Sequence, residues 1–187
     1  MAVERLIAGA KRLGLHLTPE QVAQFEAYYQ ELIQWNRRVN LTAIVDYEEV
    51  QTKHFLDALS VCLARQHVDG PWRLLDVGAG AGLPGLPLKI LFPSIGLALL
   101  DSVGKKTAFL HHVVARLGVE DVEVITGRAE EVARRVGYRE QFDVVVSRGV
   151  AQLPTLTELA LPFCTVGGSF IAQKQGEIVG EVASASG

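Results

Sequence analysis

The sequence contains few cysteines and no long apolar run, and each absence excludes a class of protein. Cys62 and Cys164 are the only cysteines among 187 residues, so neither a secreted disulfide framework nor the ligand spacing of a zinc site is present. The first residues carry charges of both signs, and no run approaches the ~20 apolar residues of a membrane span. We therefore expect a soluble, cytoplasmic protein with reduced thiols and no bound metal.

An excess of positive charge is also absent, because the formal net charge is −3. Nucleic-acid-binding proteins usually present a basic surface, so an RNA site here must be a local patch. A pair of neighbouring basic residues is by itself typical of a solvent-exposed face. Basic residues would form a binding surface only if several of them lay close together at one end of the fold. The candidates for such a patch are Arg37, Arg38, Lys53, Lys105, Lys106, Arg148 and Lys174.

The chain divides into a helical part and a part in which strands alternate with helices. Over residues 1–68 apolar residues recur at spacings of three and four, and a capping box begins a helix at Thr18, whereas 37–42 is predicted to be a polar loop. From residue 71, alternation of strands and helices predicts a parallel sheet. We expect an α/β, Rossmann-like protein with helices on both faces, and with domains 1–68 (helical cap) and 69–187. The predicted strands are 73–77, 97–100, 122–126, 142–146 and 169–173.

The first predicted strand ends in a glycine-rich stretch that indicates a ligand-binding turn. Glycine lets the backbone turn with φ > 0 and approach a bulky ligand closely. Read as Gly80-x-Gly82-x-x-Gly85, the stretch matches a dinucleotide fingerprint and predicts NAD. Read as Gly78-x-Gly80-x-Gly82 after Asp76, it resembles the motif of S-adenosylmethionine (SAM) methyltransferases, because Asp76 could help to hold the sulfonium and ammonium charges of SAM. A glycine-rich turn without a ligand is a third interpretation.

Polar residues follow the other predicted strands, and in parallel sheets the ends of neighbouring strands share one edge, where ligands bind. Asp101, which follows the second strand, could accept hydrogen bonds from the ribose hydroxyls of either cofactor. Ser102 is predicted to cap the next helix. After the third strand, Glu130 could accept a hydrogen bond from an adenine amino group, and Ala129 could offer backbone contacts.

Six motifs together resemble the RsmG (GidB) family of bacterial methyltransferases over residues 15–175. In this sequence they are Asn40-Leu41-Thr42, His54-Phe55-Leu56-Asp57, the stretch from Asp76 to Gly85, Asp101-Ser102 with Lys105-Lys106, Gly127-Arg128-Ala129-Glu130, and Ser147-Arg148-Gly149-Val150-Ala151. Six motifs in the same order are far more specific than one glycine turn.

The resemblance implies transfer of a methyl group from SAM to N7 of a guanine in small-subunit (16S) ribosomal RNA. Guanine N7 carries a free lone pair, so the attack needs no general base, and we assign no catalytic residue. The resemblance places Asn40, His54 and Lys174 near the RNA. The expected cofactor residues, from the motif and the resemblance together, are Asp76, Gly78, Gly80, Gly82, Leu83, Asp101, Ser102, Ala129, Glu130 and Arg148.

The sequence differs from the family pattern after Gln173. Two further strands are expected in a methyltransferase sheet, and the remaining residues contain only one weak apolar segment, so we expect these C-terminal strands to be missing. The partners expected are ribosomal RNA or the ribosomal subunit, and we expect a monomer. Two alternatives stay open: a methyltransferase for another RNA or a small molecule, and a non-catalytic SAM-binding protein.

Overall fold

The computed structural model describes residues 3–64, 71–174, 176 and 178–185. It confirms the predicted α/β architecture with a parallel sheet and helices on both faces. The helices are α1 (Glu4–Arg12), α2 (Pro19–Val39), α3 (Tyr47–Val50), α4 (Asp57–Leu59), α5 (Gly85–Leu91), α6 (Gly104–Leu117), α7 (Ala129–Val132), α8 (Leu153–Ala160) and α9 (Val179–Ala185). The strands are β1 (Arg73–Val77), β2 (Gly96–Asp101), β3 (Val122–Thr126), β4 (Phe142–Arg148) and β5 (Cys164–Gln173).

The five strands lie in the order β3-β2-β1-β4-β5, and every pair is parallel. Successive side chains of β1 point to opposite faces, as the period of two requires. Leu74 belongs to the core shared with the N-terminal helices, α5 and α6, whereas Leu75 belongs to the core beneath α7 and α8. The centre of the sheet is therefore buried on both faces, as is usual for parallel sheets.

The N-terminal helices pack directly on the sheet part of the chain. The capping box at Thr18 is present, and the Gln21 side chain that completes it also donates to the carbonyls of Ile90 and Leu91 at the end of α5. Trp35 of α2 packs against Phe109 of α6 with tilted rings, whose centroids lie 5.7 Å apart. The predicted domain boundary between 68 and 69 lies outside the described residues, and the division into two domains stays a proposal.

Between α3 and α4 the helix widens into a π-helical segment at Gln51–Leu56, and a 3₁₀ turn at Ser60–Ala64 follows α4. Gln51, which is buried, accepts from the backbone N–H groups of Arg5 and Leu6 and so holds the start of α1. The π segment contains His54, and π-helical turns often occur at functional sites.

Three local predictions were wrong. The stretch predicted as a loop begins inside a helix, because α2 continues to Val39 and ends at a left-handed Asn40. Ser102 does not cap α6; the Asp101 carboxylate instead accepts from the N–H of Val103, the residue before the helix. β5 begins at Cys164 rather than at residue 169, because pairing with the buried β4 extends the strand beyond its apolar run.

No helix in the described part of the chain is both long and apolar enough to span a bilayer. The sheet formed by the described residues has five strands, and the segment after β5 forms the short helix α9. The helical prediction for residues 1, 2 and 65–68, and the prediction of missing strands at 175, 177, 186 and 187, concern positions outside the described residues.

Candidate active site

A cleft of about 510 Å³ lies at the carboxyl ends of the strands, where the sequence predicts the ligand site. It is lined by the glycine turn, by residues that follow β2, β3 and β4, and by part of the N-terminal helical segment. Of the expected cofactor residues, those that line it are Gly78, Gly80, Leu83, Asp101, Ser102, Ala129, Glu130 and Arg148.

The glycine turn is built on three glycines with positive φ: Gly78 (74°), Gly80 (56°) and Gly82 (86°). A Cβ at Gly78 would lie 2.4 Å from Cγ2 of Val150, whereas a Cβ at Gly80 would meet nothing closer than a carbonyl oxygen at 3.7 Å. Gly85 already belongs to α5. The turn thus uses the Gly78-x-Gly80-x-Gly82 register, since these are the glycines that need left-handed backbone.

Asp76 lies beneath the turn rather than in the cleft. It is fully buried, and Oδ2 accepts from the N–H of Gly85 at 2.8 Å, while Oδ1 has no hydrogen-bond partner among the described residues. Burial raises the pKa of Asp76 to about 7, although the Gly85 N–H and the charge of Arg148 lower it. The carboxylate therefore ties β1 to the first residue of α5.

Asp101 connects the end of β2 to the glycine turn. Its Oδ2 accepts from the N–H of Gly80 at 2.9 Å, and its Oδ1 accepts from the N–H of Val103 at 2.8 Å. Lys106 places its Nζ 4.0 Å from Oδ2. Each carboxylate oxygen has two lone pairs, so this side chain, which lines the cleft, keeps acceptor capacity for a ligand.

Arg148 joins the end of β4 to the helical segment. It donates to Oδ2 of Asp57 at 3.1 Å and to the Lys53 carbonyl at 3.3 Å, and its Nη2 lies 3.4 Å from Nδ1 of His54. The other ring nitrogen of His54 lies 2.7 Å from the Thr42 hydroxyl. Burial, and then the Arg148 charge, lower the pKa of His54, so the imidazole is neutral at pH 7. Arg148 therefore lies between His54 and Asp57 and contacts both side chains.

Several expected site residues lie outside the cleft lining. Gly82 faces the core, Asn40 is exposed at the end of α2, and Lys174 donates to the Ala151 carbonyl at 2.7 Å and pairs with Glu181 at 2.7 Å. Glu130 lines the cleft and is paired with Arg128 at 3.3 Å. Within the described ranges no three His, Cys, Asp or Glu side chains are grouped so as to hold a metal ion.

Comparisons with known proteins show the family of this chain. The family model described as rRNA small subunit methyltransferase G matches residues 21–185. A Ribosomal RNA small subunit methyltransferase G of Dehalococcoides mccartyi is 51% identical over 96% of this chain and 76% of its own length. One from Roseiflexus castenholzii is 51% identical over 98% of this chain and 77% of its own length. The chain belongs to the rRNA small subunit methyltransferase G family. The resemblance read from the six motifs is confirmed.

A solved structure outside this family shows the same fold. The precorrin-6y C5,15-methyltransferase of Geobacter metallireducens superposes with a TM-score of 0.53 over 68% of this chain and 66% of its own, at 15% identity. The Rossmann-like methyltransferase fold predicted for this member of the family is therefore present, and sequence identity at this level supports the fold alone.

The sequence analysis missed Tyr28, which none of the six motifs contains. Tyr28 is fully buried, and its hydroxyl donates to the carbonyl of Ala81 in the glycine turn. Tyr29 is half-buried, and its hydroxyl reaches the Val45 carbonyl at 3.3 Å. Spacings of three from Phe25 to Tyr28 and then four to Leu32 could have identified it, since both are helical neighbours on one face.

We expect Arg148→Met to raise the pKa of His54 toward 6.5, because it removes the positive charge that disfavours the imidazolium. The variant should also lose about 1 kcal/mol of stability with the Asp57 pair. Proton NMR titration of the histidine ring signals measures the pKa. Arg128→Met removes a charge from the same cleft, and an equal pKa change in that control would contradict the assignment.

Proposed function

We propose that this chain transfers the methyl group of SAM to N7 of a guanine in small-subunit ribosomal RNA. The observation that carries the proposal is the pairing of a three-glycine turn with Asp101, in one cleft, in a chain that belongs to a family of rRNA methyltransferases. When bound, SAM supplies an electrophilic methyl group on a sulfonium.

The residues of the cleft fit that cofactor. At Gly78 and Gly80 the cleft is lined by backbone without a side chain. Space next to Gly80, which a side chain would occupy, is free for a ligand. We assign the ribose hydroxyls to Asp101, whose oxygens have lone pairs to spare. Ala129 and Glu130 at the start of α7 would hold the adenine, with Leu83, Ser102 and Arg148 completing the walls.

The start of α5 supports SAM over NAD. A pyrophosphate needs free N–H groups at a helix N-terminus. Here the N–H of Gly85 donates to Asp76, and that of Leu86 donates to the Gly82 carbonyl at 2.8 Å. The first turn of this helix is therefore already satisfied and leaves neither of these N–H groups free for a pyrophosphate.

The residues of the cleft have a positioning role in the transfer. Guanine N7 attacks with its own lone pair, so no side chain has to remove a proton. Holding N7 in line with the methyl group at close approach can supply ~7–11 kcal/mol of the barrier. We place the base at the side of the cleft formed by Thr42 and neutral His54.

The RNA is proposed to approach over the same edge of the sheet. Lys106 and Arg128 line the cleft, and Asn40 and Lys174 lie at the ends of α2 and β5. N7 faces the deep, narrow major groove of an RNA helix, which side chains cannot enter. The target guanine therefore has to be exposed in a loop or in a partly assembled subunit.

Calorimetry with Asp101→Asn tests the cofactor assignment. The wild-type chain should bind SAM and not NAD, and the variant should bind SAM about tenfold more weakly, because an amide cannot accept at both positions. Asp143→Asn is the matched control: its carboxylate also accepts a backbone N–H, from Arg73 at the opposite end of β1. Binding of NAD instead of SAM, or an equal loss in the control, would refute the assignment.

Methylation of small-subunit RNA tests the substrate assignment. Small ribosomal subunits from a bacterial strain that lacks the family's enzyme are incubated with the chain and labelled SAM. The RNA is then digested to nucleosides, which are separated by chromatography and identified by mass spectrometry. Labelled 7-methylguanosine is expected. Label on another nucleoside, or on a small molecule only, would favour another methyltransferase, and SAM binding without transfer would favour a non-catalytic protein.

A further inference from the structure

The glycine turn is held in place from two sides. From the sheet, the Leu100 carbonyl accepts from the N–H groups of Gly78 and Ala79, and Asp101 accepts from that of Gly80. From the N-terminal helices, Tyr28 donates its hydroxyl hydrogen to the carbonyl of Ala81. Tyr28 thus connects the helical segment to the turn by a hydrogen bond.

Within the turn, Tyr28 holds the orientation of the Ala81–Gly82 peptide. Its carbonyl bonds to Tyr28, and its N–H donates to the Ala79 carbonyl at 2.7 Å. Ala81 also lines the cleft, so the same residue faces the ligand site and the buried tyrosine. With both polar groups bonded, the peptide cannot rotate its carbonyl toward the cleft without losing buried hydrogen bonds.

Tyr28 is itself held rigidly. Its ring packs against Phe55 with centroids 5.1 Å apart, and its side chain is fully buried on the same face as Phe25 and Leu32. Burial raises the pKa of Tyr28 well above 10, so the phenol stays a donor throughout the physiological range. Gly82 leaves room for the hydroxyl, because a Cβ there would lie 2.8 Å from it.

We propose that Tyr28 is a positioning residue for the cofactor: from the N-terminal helices, it fixes the peptide that follows Ala81, a residue of the cleft lining. The helical segment therefore contributes to the cofactor site as well as to any RNA contact. In this inference the identity of the cofactor rests on the proposed function, whereas the effect of Tyr28 on the glycine turn does not.

Tyr28→Phe tests the inference because it removes one hydroxyl and keeps the ring. We expect Kd and KM for SAM to rise about tenfold with KM for the RNA unchanged, because the loss of a buried hydrogen bond loosens the turn. In the protein without SAM, amide hydrogen exchange at Gly82 should accelerate about tenfold, since this N–H belongs to the peptide whose carbonyl loses the hydrogen bond from Tyr28. A purely structural role would lower the melting temperature without this selective change.

Two controls separate positioning from general destabilisation. Tyr29→Phe removes a hydroxyl from the same helix that donates to Val45 instead of the turn. Phe163→Leu weakens the core on the other face of the sheet. Both should leave Kd for SAM and Gly82 exchange within twofold of the wild type. Unchanged Gly82 exchange in Tyr28→Phe, or an equal change in Phe163→Leu, would overturn the inference. Failure of the wild type to bind SAM would overturn the proposed function, while the exchange measurement still decides the inference.

Discussion

Gly82→Ala is expected to lower kcat/KM by about 100-fold, although Gly82 does not line the cleft. The backbone at Gly82 has φ 86°, and an added Cβ would lie 2.5 Å from Cδ1 of Leu86 and 2.8 Å from the Tyr28 hydroxyl. The left-handed conformation costs an L-residue ~1–2 kcal/mol, and the overlap adds ~1–3 kcal/mol. Relief of the overlap has to move the turn, and a displacement of ~1 Å at a reacting site can reduce the rate by about 100-fold.

Gly118→Ala is the matched control for this prediction. Gly118 ends α6 with φ 63°, and an added Cβ there would meet no atom within 4 Å. It carries the same backbone strain without the overlap, so we expect a loss of ~1 kcal/mol in stability and no change in kcat/KM. Thermal unfolding and steady-state kinetics on both variants give the comparison. Equal losses of activity would show that backbone strain, and not the position of the turn, sets the effect.

Asp76→Asn is expected to stabilise the protein at alkaline pH. The pKa of Asp76 is raised to about 7 in the folded state, mainly by burial, against an ordinary value of 3.8. Between these values the folded chain keeps a proton that the unfolded chain has released, so the stability of the wild type falls as pH rises from about 4 to about 7. Asparagine removes this loss. At pH 8 we expect the variant to be more stable by ~2 kcal/mol, after the cost of an unpaired buried amide.

Urea unfolding at pH 5, 6, 7 and 8 measures this dependence. The difference between Asp76→Asn and wild type should grow with pH up to about 7 and stay constant above it. Asp46→Asn serves as the control, because Asp46 caps α3 from an exposed position and asparagine caps a helix equally well. Parallel stability curves for Asp76→Asn and wild type would mean that Asp76 is ionised in the fold throughout this range.

The local pattern of the sequence was sufficient for the fold and for much of the candidate cleft. Alternating apolar runs and helical periodicities predicted the five parallel strands, and the signal is strongest for β1, β2 and β4, which are short and mostly buried. The glycines after β1 and Asp101 after β2 could be assigned because strand ends share one edge of a parallel sheet. The predicted boundaries of β5 and α2 were wrong, because strand pairing extends β5 back to Cys164 and a left-handed residue ends α2 only at Asn40.

By itself, the sequence determined the family, the alternation of strands with helices and the position of the glycine turn, since each depends on spacings within a few residues. The register of the turn had two interpretations, and the positive φ values of Gly78, Gly80 and Gly82 in the structure selected one of them. Only the tertiary structure decided that Tyr28 rather than Tyr29 meets the turn and that Asp76 is buried beneath it. It also decided that Arg148 pairs with Asp57, a residue 91 positions away. These facts depend on packing between distant segments, because packing decides which side chains are buried. Burial in turn shifts the pKa of a carboxyl group and requires a buried polar group to have a hydrogen-bond partner.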